Sequence, residues 1–300
     1  MTRSRSPKLV LYVAYGVAAQ ALPEYSHRCS PKKFTQHQLF ACLVLKDFYG
    51  LSYRAVVALL EDCSDLRKVI ELEVVPHFTA LQKAAQRLLV ARSFRKLLTS
   101  TVNQAKAFRI LRSRPRLSAI DTSGFESQHT SRYYAKRRLA TGKHGRKRKV
   151  VYHRYPKLGL ACDADSHFIL SARPSQGPYP DFRDFEPLLR DASRVAKPKT
   201  IAADAGFDSE ASHQLAREEL GIQSLIPPKH GRPTDKEPAG HYRRQMKRHL
   251  HQSRYGQRWQ VETVFSMIKR CSGEVVNAQT YWRRCRLLHL KTLTHNIAIL

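Results

Sequence analysis

Two short apolar runs in the second half of the chain each end in an aspartate. They constrain the fold more than any other feature. The runs are Leu117-Ser-Ala-Ile-Asp121 and Thr200-Ile-Ala-Ala-Asp204. Each has the length of a buried strand and is too short for a stable helix. Two further strands are predicted near residues 157–162 and 168–172. Between them, Asp163-Ala-Asp-Ser166 suits a hairpin turn, because Asp and Ser side chains bond turn backbone. Its D-x-D is therefore read as a turn and not as a metal motif. A helix starts at Asp181 or Asp184 and runs to about residue 195, and Ser209 caps another that ends at Leu220. Residues 222–226 form a further strand, closed by Pro227-Pro228. Strands alternating with helices predict an α/β domain. If the first and fourth strands are adjacent and parallel, Asp121 and Asp204 emerge at the same end of the sheet. That end is where active sites form in open α/β sheets.

A third acid comes from the stretch Arg254-Tyr-Gly-Gln-Arg-Trp-Gln-Val-Glu-Thr-Val-Phe-Ser-Met-Ile-Lys-Arg270. Read as one helix turning about 100° per residue, it puts Tyr255, Arg258, Glu262 and Lys269 within roughly 60° of one another. Val261, Val264, Phe265 and Ile268 form the neighbouring apolar stripe that would seat it. Taken alone, the stretch reads first as an amphipathic helix with surface ion pairs. Its meaning depends on partners for Glu262.

The charge favours a polyanion. Lys and Arg total 53 against 24 Asp and Glu, giving +29. So large an imbalance opposes compaction and draws nucleic acid first, with an anionic membrane surface a distant second. The basic residues are spread along the chain, so the folded body carries the charge. Between about 130 and 150, aromatics alternate with cations including Lys147 and Arg148, as suits a surface that tracks a nucleic-acid backbone or a solvated loop. Residues 229–253 are a second basic stretch.

Residues 1–112 read as helical, with the basic linker Arg112-Ser-Arg-Pro-Arg116 as the boundary to a second domain at 113–300. Arg3, Arg5 and Lys8 before the run Leu9–Leu22 imitate a signal peptide, but Tyr12, Tyr15, Gly16 and Gln20 favour a short packed helix. No segment reaches the ~20 apolar residues of a membrane span. Thr35 caps a helix Gln36–Phe48, and Ser52 caps Tyr53–Asp62 after the turn Tyr49-Gly-Leu-Ser52. Helix, glycine-containing turn, helix is the outline of a helix-turn-helix. Thr79 is expected to cap another helix, Ala80–Val90, which carries Gln82, Lys83, Gln86 and Arg87 on its polar side. Either unit suits DNA contact, and a plain helical bundle accounts for the same pattern. The six cysteines show no C-x-x-C spacing and read as small buried residues in a reducing compartment.

Three convergent carboxylates cannot all stay ionised without a cation. Oxygen ligands with no thiolate cluster point to Mg²⁺ or Mn²⁺ rather than zinc. Two such ions clamp an in-line displacement at phosphorus, so no Ser-His-Asp or Cys-His arrangement is needed. Arg258 and Lys269 then suit the phosphates flanking the scissile one.

These residues resemble the DDE transposases of bacterial insertion sequences. Ile120-Asp121-Thr-Ser looks like the first acidic motif and Ala202-Ala-Asp204-Ala-Gly-Phe-Asp208-Ser like the second, with Phe207 where Tyr is commoner. Tyr255, Arg258, Glu262 and Lys269 match the family signature of Tyr, two residues, Arg, three residues, Glu, six residues, Lys. The resemblance covers residues 117–300 well and the helical region more loosely. It implies a ribonuclease H-like mixed sheet flanked by helices, preceded by an all-α region. It also implies a metal-binding catalytic triad of Asp121, Asp204 and Glu262 with two Mg²⁺ or Mn²⁺ ions, and Tyr255, Arg258 and Lys269 on DNA. Gln82, Lys83 and Arg87 would contact the terminal inverted repeats, and Lys147 and Arg148 the backbone. The large β-rich insert of some relatives should be missing between Asp204 and Glu262. The implied activity is Mg²⁺-dependent cleavage of double-stranded DNA ends followed by joining of the 3′ hydroxyl to target DNA. It would be carried out by a homodimer in the cytoplasm, associated with the nucleoid and not with membrane. A nuclease of the same fold without strand transfer, or an inactive DNA-binding derivative, are the alternatives.

Overall fold

The computed structural model describes residues 3–127, 154–229, 237–250 and 252–300. The basic tract with Lys147 and Arg148 lies outside the described residues, as does Arg232. The first part is a helical bundle: α1 (Pro7–Ala21), α2 (Gln36–Phe48), α3 (Tyr53–Asp62), α4 (Ser64–Val69), α5 (Phe78–Leu88) and α6 (Ala91–Ala107). Side-chain caps start three of these six helices, α1, α2 and α3. Thr35 Oγ1 accepts the Gln38 N–H at 3.1 Å, and Gln38 Oε1 accepts the Thr35 N–H at 3.0 Å. This reciprocal pair is a capping box. Ser52 Oγ accepts the Ala55 N–H and starts α3 as expected. The expected Thr79 cap is not used. Helix α5 begins two residues earlier behind His77, and Thr79 bonds the His77 ring instead. The α1 helix packs Val10, Leu11, Ala14, Val17 and Ala18 into the bundle core.

The second part holds β1 (Leu117–Gly124), β2 (Tyr155–Asp163), β3 (Ile169–Gly177), α7 (Phe182–Val195), β4 (Thr200–Ala203), α8 (Glu210–Gln214, continued as a π-helical turn Leu215–Glu219) and β5 (Gln223–Leu225). The helices α9 (His241–His249), α10 (Gln252–Gly256), α11 (Gln260–Ser272) and α12 (Tyr281–Ile299) follow. The sheet order is β3-β2-β1-β4-β5. The β1–β2 and β2–β3 pairs are antiparallel, whereas β4 and β5 continue the sheet parallel to β1. This is the mixed, helix-flanked sheet of the ribonuclease H-like fold. No large β insert separates Asp204 from Glu262 among the described residues, where the only strand is β5. The β2–β3 turn is closed by Asp163 Oδ2, which accepts from the N–H and hydroxyl of Ser166.

The two faces of the sheet alternate with residue number, as a pleated strand requires, except at a bulge where Ala161 pairs with Ser171 but Cys162 with Ile169. Ile120, Ile201 and Ala203 pack with Phe185, Leu188 and Leu189 of α7 on one face. On the other face, Ala119, Leu160 and Ile169 meet Val261, Val264, Phe265 and Ile268. The apolar stripe of α11 therefore seats that helix as its spacing predicts.

Helix α12 belongs to both halves. Leu290, Leu293, Ile297 and Ala298 complete the core of the N-terminal bundle, while Leu288 packs with α11 and the sheet. Asn296 fixes it there: its Oδ1 accepts the Ile169 N–H at 2.9 Å, and its Nδ2 donates to Ile169 O at 2.9 Å and Thr101 Oγ1 at 3.1 Å. Cys42, Cys162 and Cys285 are buried as expected, but Cys29 and Cys271 are exposed, on a loop and on the outward side of the last turn of α11. No helix among the described residues is long and apolar enough to cross a membrane.

Candidate active site

Strands β1 and β4 are adjacent and parallel, with Ile120 opposite Ala203. The next residue on each is an acid, so Asp121 and Asp204 leave the pairing side by side. By the period of two, Asp121 shares a face with Ala119 and Asp204 with Ala202. That is the face covered by α10 and α11. One expectation is corrected here. Asp121 does not end its strand, because β1 continues to Gly124 against β2. It stands where the shorter β4 stops, and the gap beyond β4 opens its side chain to the cleft.

The stretch 254–270 is not one helix. It is α10, a 3₁₀ turn at Gln257–Trp259, and then α11. A 3₁₀ turn winds tighter than α, so Tyr255 and Arg258 do not continue the row on which Glu262 and Lys269 lie. Tyr255 packs its ring against a cluster of Leu117, Ala202, Leu225 and Met246. Burial raises the phenol above its ordinary value, and the nearby Arg258 opposes that rise. Arg258 reaches back across the sheet edge. Its Nη1 donates to Asp121 Oδ2 at 3.2 Å and its Nη2 to Glu262 Oε1 at 2.7 Å. Glu262 is exposed; Asp121 and Arg258 are mostly covered.

Burial pushes the Asp121 carboxyl up to about 6. The Thr122 N–H, at 2.7 Å from Oδ1, and Arg258 pull it down, while the charges of Asp204 and Glu262 push it up again. Asp204 and Glu262 therefore each lie within electrostatic reach of Asp121. Asp204 is exposed, and its Oδ1 accepts the Ala205 N–H at 2.7 Å to start the turn that follows. Among the described residues, no three His, Cys, Asp or Glu side chains stand close enough together to hold a metal ion. The expected ligands share one edge, with the Arg258 guanidinium between two of them.

An open cleft of about 490 Å³ lies against Asp121 and Glu262, walled by Thr122, Ser123, Ser266, Lys269 and Arg270. Lys269 is not a free cation in it. Its Nζ donates to Glu274 Oε1 at 3.2 Å and lies 5.3 Å over the Phe125 ring. Gln82, Lys83 and Arg87 are exposed on α5 and do not line this cleft.

Two supports escaped the sequence reading. Thr122 Oγ1 donates to Asp181 Oδ1 at 2.8 Å, and the buried Lys157 Nζ pairs with the same oxygen. This holds β1 and β2 to the start of α7 beside Asp121. The signal was a charged residue inside an otherwise apolar strand. The second support begins at Asp208, fully buried four residues beyond Asp204, where the Arg243 Nε and Nη2 donate to it at 2.9 and 2.7 Å. Glu210 accepts the N–H groups of Tyr242 and Arg243, which anchors the start of the basic helix α9. Gly240 has φ 101°, and a Cβ there would lie 2.1 Å from the Glu210 carboxylate. Only glycine fits that approach.

The family model described as "Transposase DDE domain" matches residues 112–297, which is more than half of the chain. No curated protein sequence matches the chain. Among solved structures, a piggyBac transposase synaptic complex with hairpin DNA is similar at 10% identity, with a TM-score of 0.44, over 97% of this chain and 71% of that one. The family match over more than half of the chain settles the classification: this chain belongs to the DDE-domain transposases.

Proposed function

We propose that this chain cuts double-stranded DNA at the ends of an insertion sequence and joins the freed 3′ hydroxyl to target DNA. The observation that carries this reading is the parallel register of β1 and β4. It puts Asp121 and Asp204 on one edge, with Glu262 facing Asp121 across Arg258. The net charge of +29 favours DNA as the partner.

The donor set fits Mg²⁺ or Mn²⁺, two ions by the family pattern. It offers carboxylate oxygens only, and a guanidinium already occupies the place of a cation between Asp121 and Glu262. Asp121, Asp204 and Glu262 would hold the metal, which when bound supplies Lewis-acid stabilisation of the charge that develops at phosphorus. The chain's own residues position the substrate. Arg258, once released from the carboxylates, carries two donors suited to a phosphate. Lys269 and Arg270 line the cleft beside it, and Tyr255 anchors the α10 turn that aims Arg258. Residues 1–112 would bind the terminal inverted repeats, with Gln82, Lys83 and Arg87 at the contact. Residues 113–300 would carry the chemistry. The active complex would be a homodimer, associated with the nucleoid in the cytoplasm.

The test uses a duplex carrying the inverted repeats that flank the reading frame. Asp121→Asn, Asp204→Asn and Glu262→Gln should each abolish Mg²⁺-dependent cleavage while leaving binding largely intact. Full cleavage by any of the three sinks the assignment. Pre-cut ends incubated with a target plasmid separate the alternatives: joined products support transposition, and their repeated absence supports a nuclease without strand transfer.

A further inference from the structure

A second groove, of about 510 Å³, lies away from the acids, between α5 and the first turns of α12. Its walls carry Gln82 and Gln86 from α5, Asn277 and Gln279 from the loop before α12, and Arg283 and Arg286 from α12 itself. No Asp or Glu lines it. The four amides and Arg283 are exposed, and none uses its side chain in a hydrogen bond among the described residues. Elsewhere in the fold, Arg217, Arg243, Arg258 and Arg284 are all spent on protein acceptors.

We propose that this groove reads base edges of duplex DNA, and that it does so with residues from both ends of the chain. Carboxamides and guanidinium groups are the side chains that pair two-pronged with adenine and guanine edges in the major groove. Asn and Gln can also bond phosphates, but sequence-independent grip on the backbone comes from cations. Four uncharged amides beside two guanidinium groups are the set that base edges use. Lys83 and Arg87, outward on the same helix, supply phosphate contacts beside the groove.

The walls are held rigid, which recognition at this scale requires. Arg284 Nε donates to Ala278 O at 2.8 Å, and the Val276 N–H to Glu126 O at 2.8 Å, fixing the loop. Thr280 caps α12 through the Arg283 N–H. Opposite, the His289 ring bonds Leu89 O at 2.9 Å and stacks on Phe94 at 4.0 Å, tying α12 to the α5–α6 corner. The loop follows directly on α11, the helix of Glu262, so a base-reading wall and a reacting acid share one short segment. The physiological duplex is taken from the DNA-cutting reading; the groove's sequence preference is independent of it.

The test is selection from a random-sequence duplex pool with the full chain and two variants, Q82A/Q86A and N277A/Q279A. All four positions are exposed, and unchanged thermal unfolding checks the fold. The parent should enrich a defined motif. Each variant should lose enrichment at its own subset of positions, with discrimination between selected and unselected duplex falling about tenfold or more. Affinity for unselected duplex and its salt dependence should be unchanged, since no cation is removed. Variants that enrich the parent's motif with the parent's strength overturn the proposal. So does a parent that enriches no motif. Asp121→Asn should select the parent's motif, so a failure of the cutting chemistry leaves this result standing.

Discussion

Arg258 donates to Asp121 at 3.2 Å and to Glu262 at 2.7 Å, so one guanidinium joins two of the three acids at the sheet edge. A cation of the protein thus stands where the proposed metal would. Removing it should help a divalent ion to bind, because competition and repulsion both disappear. Arg258→Ala is expected to tighten Mn²⁺ binding about tenfold, or ~1.4 kcal/mol. Calorimetric titration measures this without DNA. Weaker Mn²⁺ binding in the variant would show that Arg258 organises the acids instead of competing for them.

Asp208 is fully buried and held by two guanidinium nitrogens of Arg243. Removing Arg243 leaves that buried carboxylate the Lys229 N–H, at 2.8 Å, but no counter-charge in contact. Breaking a buried pair typically costs about 3–5 kcal/mol. Arg243→Met should lower stability by that order in urea unfolding. It should also raise hydrogen exchange across α9, whose first turn Glu210 anchors. A loss under about 1 kcal/mol would mean that water replaces Arg243 without cost.

Much of this fold is visible in the sequence, where the determinants are local. Thr35 and Ser52 announce their helices because a cap acts within three residues. Asp121 and Asp204 come out side by side because the short β4 stops at Ala203, opposite Ile120, although Asp121 lies inside the longer β1 and does not end it. What the sequence hides is long-range or depends on backbone geometry. Nothing in the spacing pairs Asp208 with Arg243, or Lys157 with Asp181. The break at Gln257–Trp259 is hidden because a period of 3.6 extrapolates smoothly through a 3₁₀ turn. The early start of α5 escapes because Thr79 has two possible partners, and His77 is the nearer.

Lys291 is buried under the end of α11 and donates to Ser272 O and, at 2.9 Å, to Gly273 O, with Asp47 of α2 at 4.0 Å. Burial lowers the ammonium from its ordinary value, and the Asp47 charge opposes the drop. Lys291→Met keeps the bulk but leaves two carbonyls without their donor and the buried Asp47 carboxylate without its nearby charge. A loss of about 2–4 kcal/mol in chemical unfolding is expected. Faster exchange in the last turn of α11 should accompany it. An equally stable variant would show that water caps that helix end as well.

Three buried histidines make stability sensitive to mild acid. Burial, the largest cause in each case, pushes His213, His289 and His295 down to about 4 from an ordinary 6.5. The unfolded chain therefore binds protons that the folded chain refuses. Stability should be complete above about pH 6.5 and fall as pH drops from there towards 4. The combined loss is on the order of several kcal/mol. Urea midpoints at pH 7.5, 6 and 5 measure it, and a flat profile would contradict the neutral burial of these rings.

The place of α12 has a consequence for assembly. The bond from His289 to Leu89 spans 200 residues, and Leu290, Leu293 and Ile297 fill a core otherwise made by the first hundred residues. The N-terminal helices are thus left with an open hydrophobic seam until the last helix has been synthesised. Synthesis itself becomes a checkpoint: a nascent or truncated chain lacks both the seam's closure and one wall of the groove at α5. Such a fragment has neither a finished core nor a finished groove.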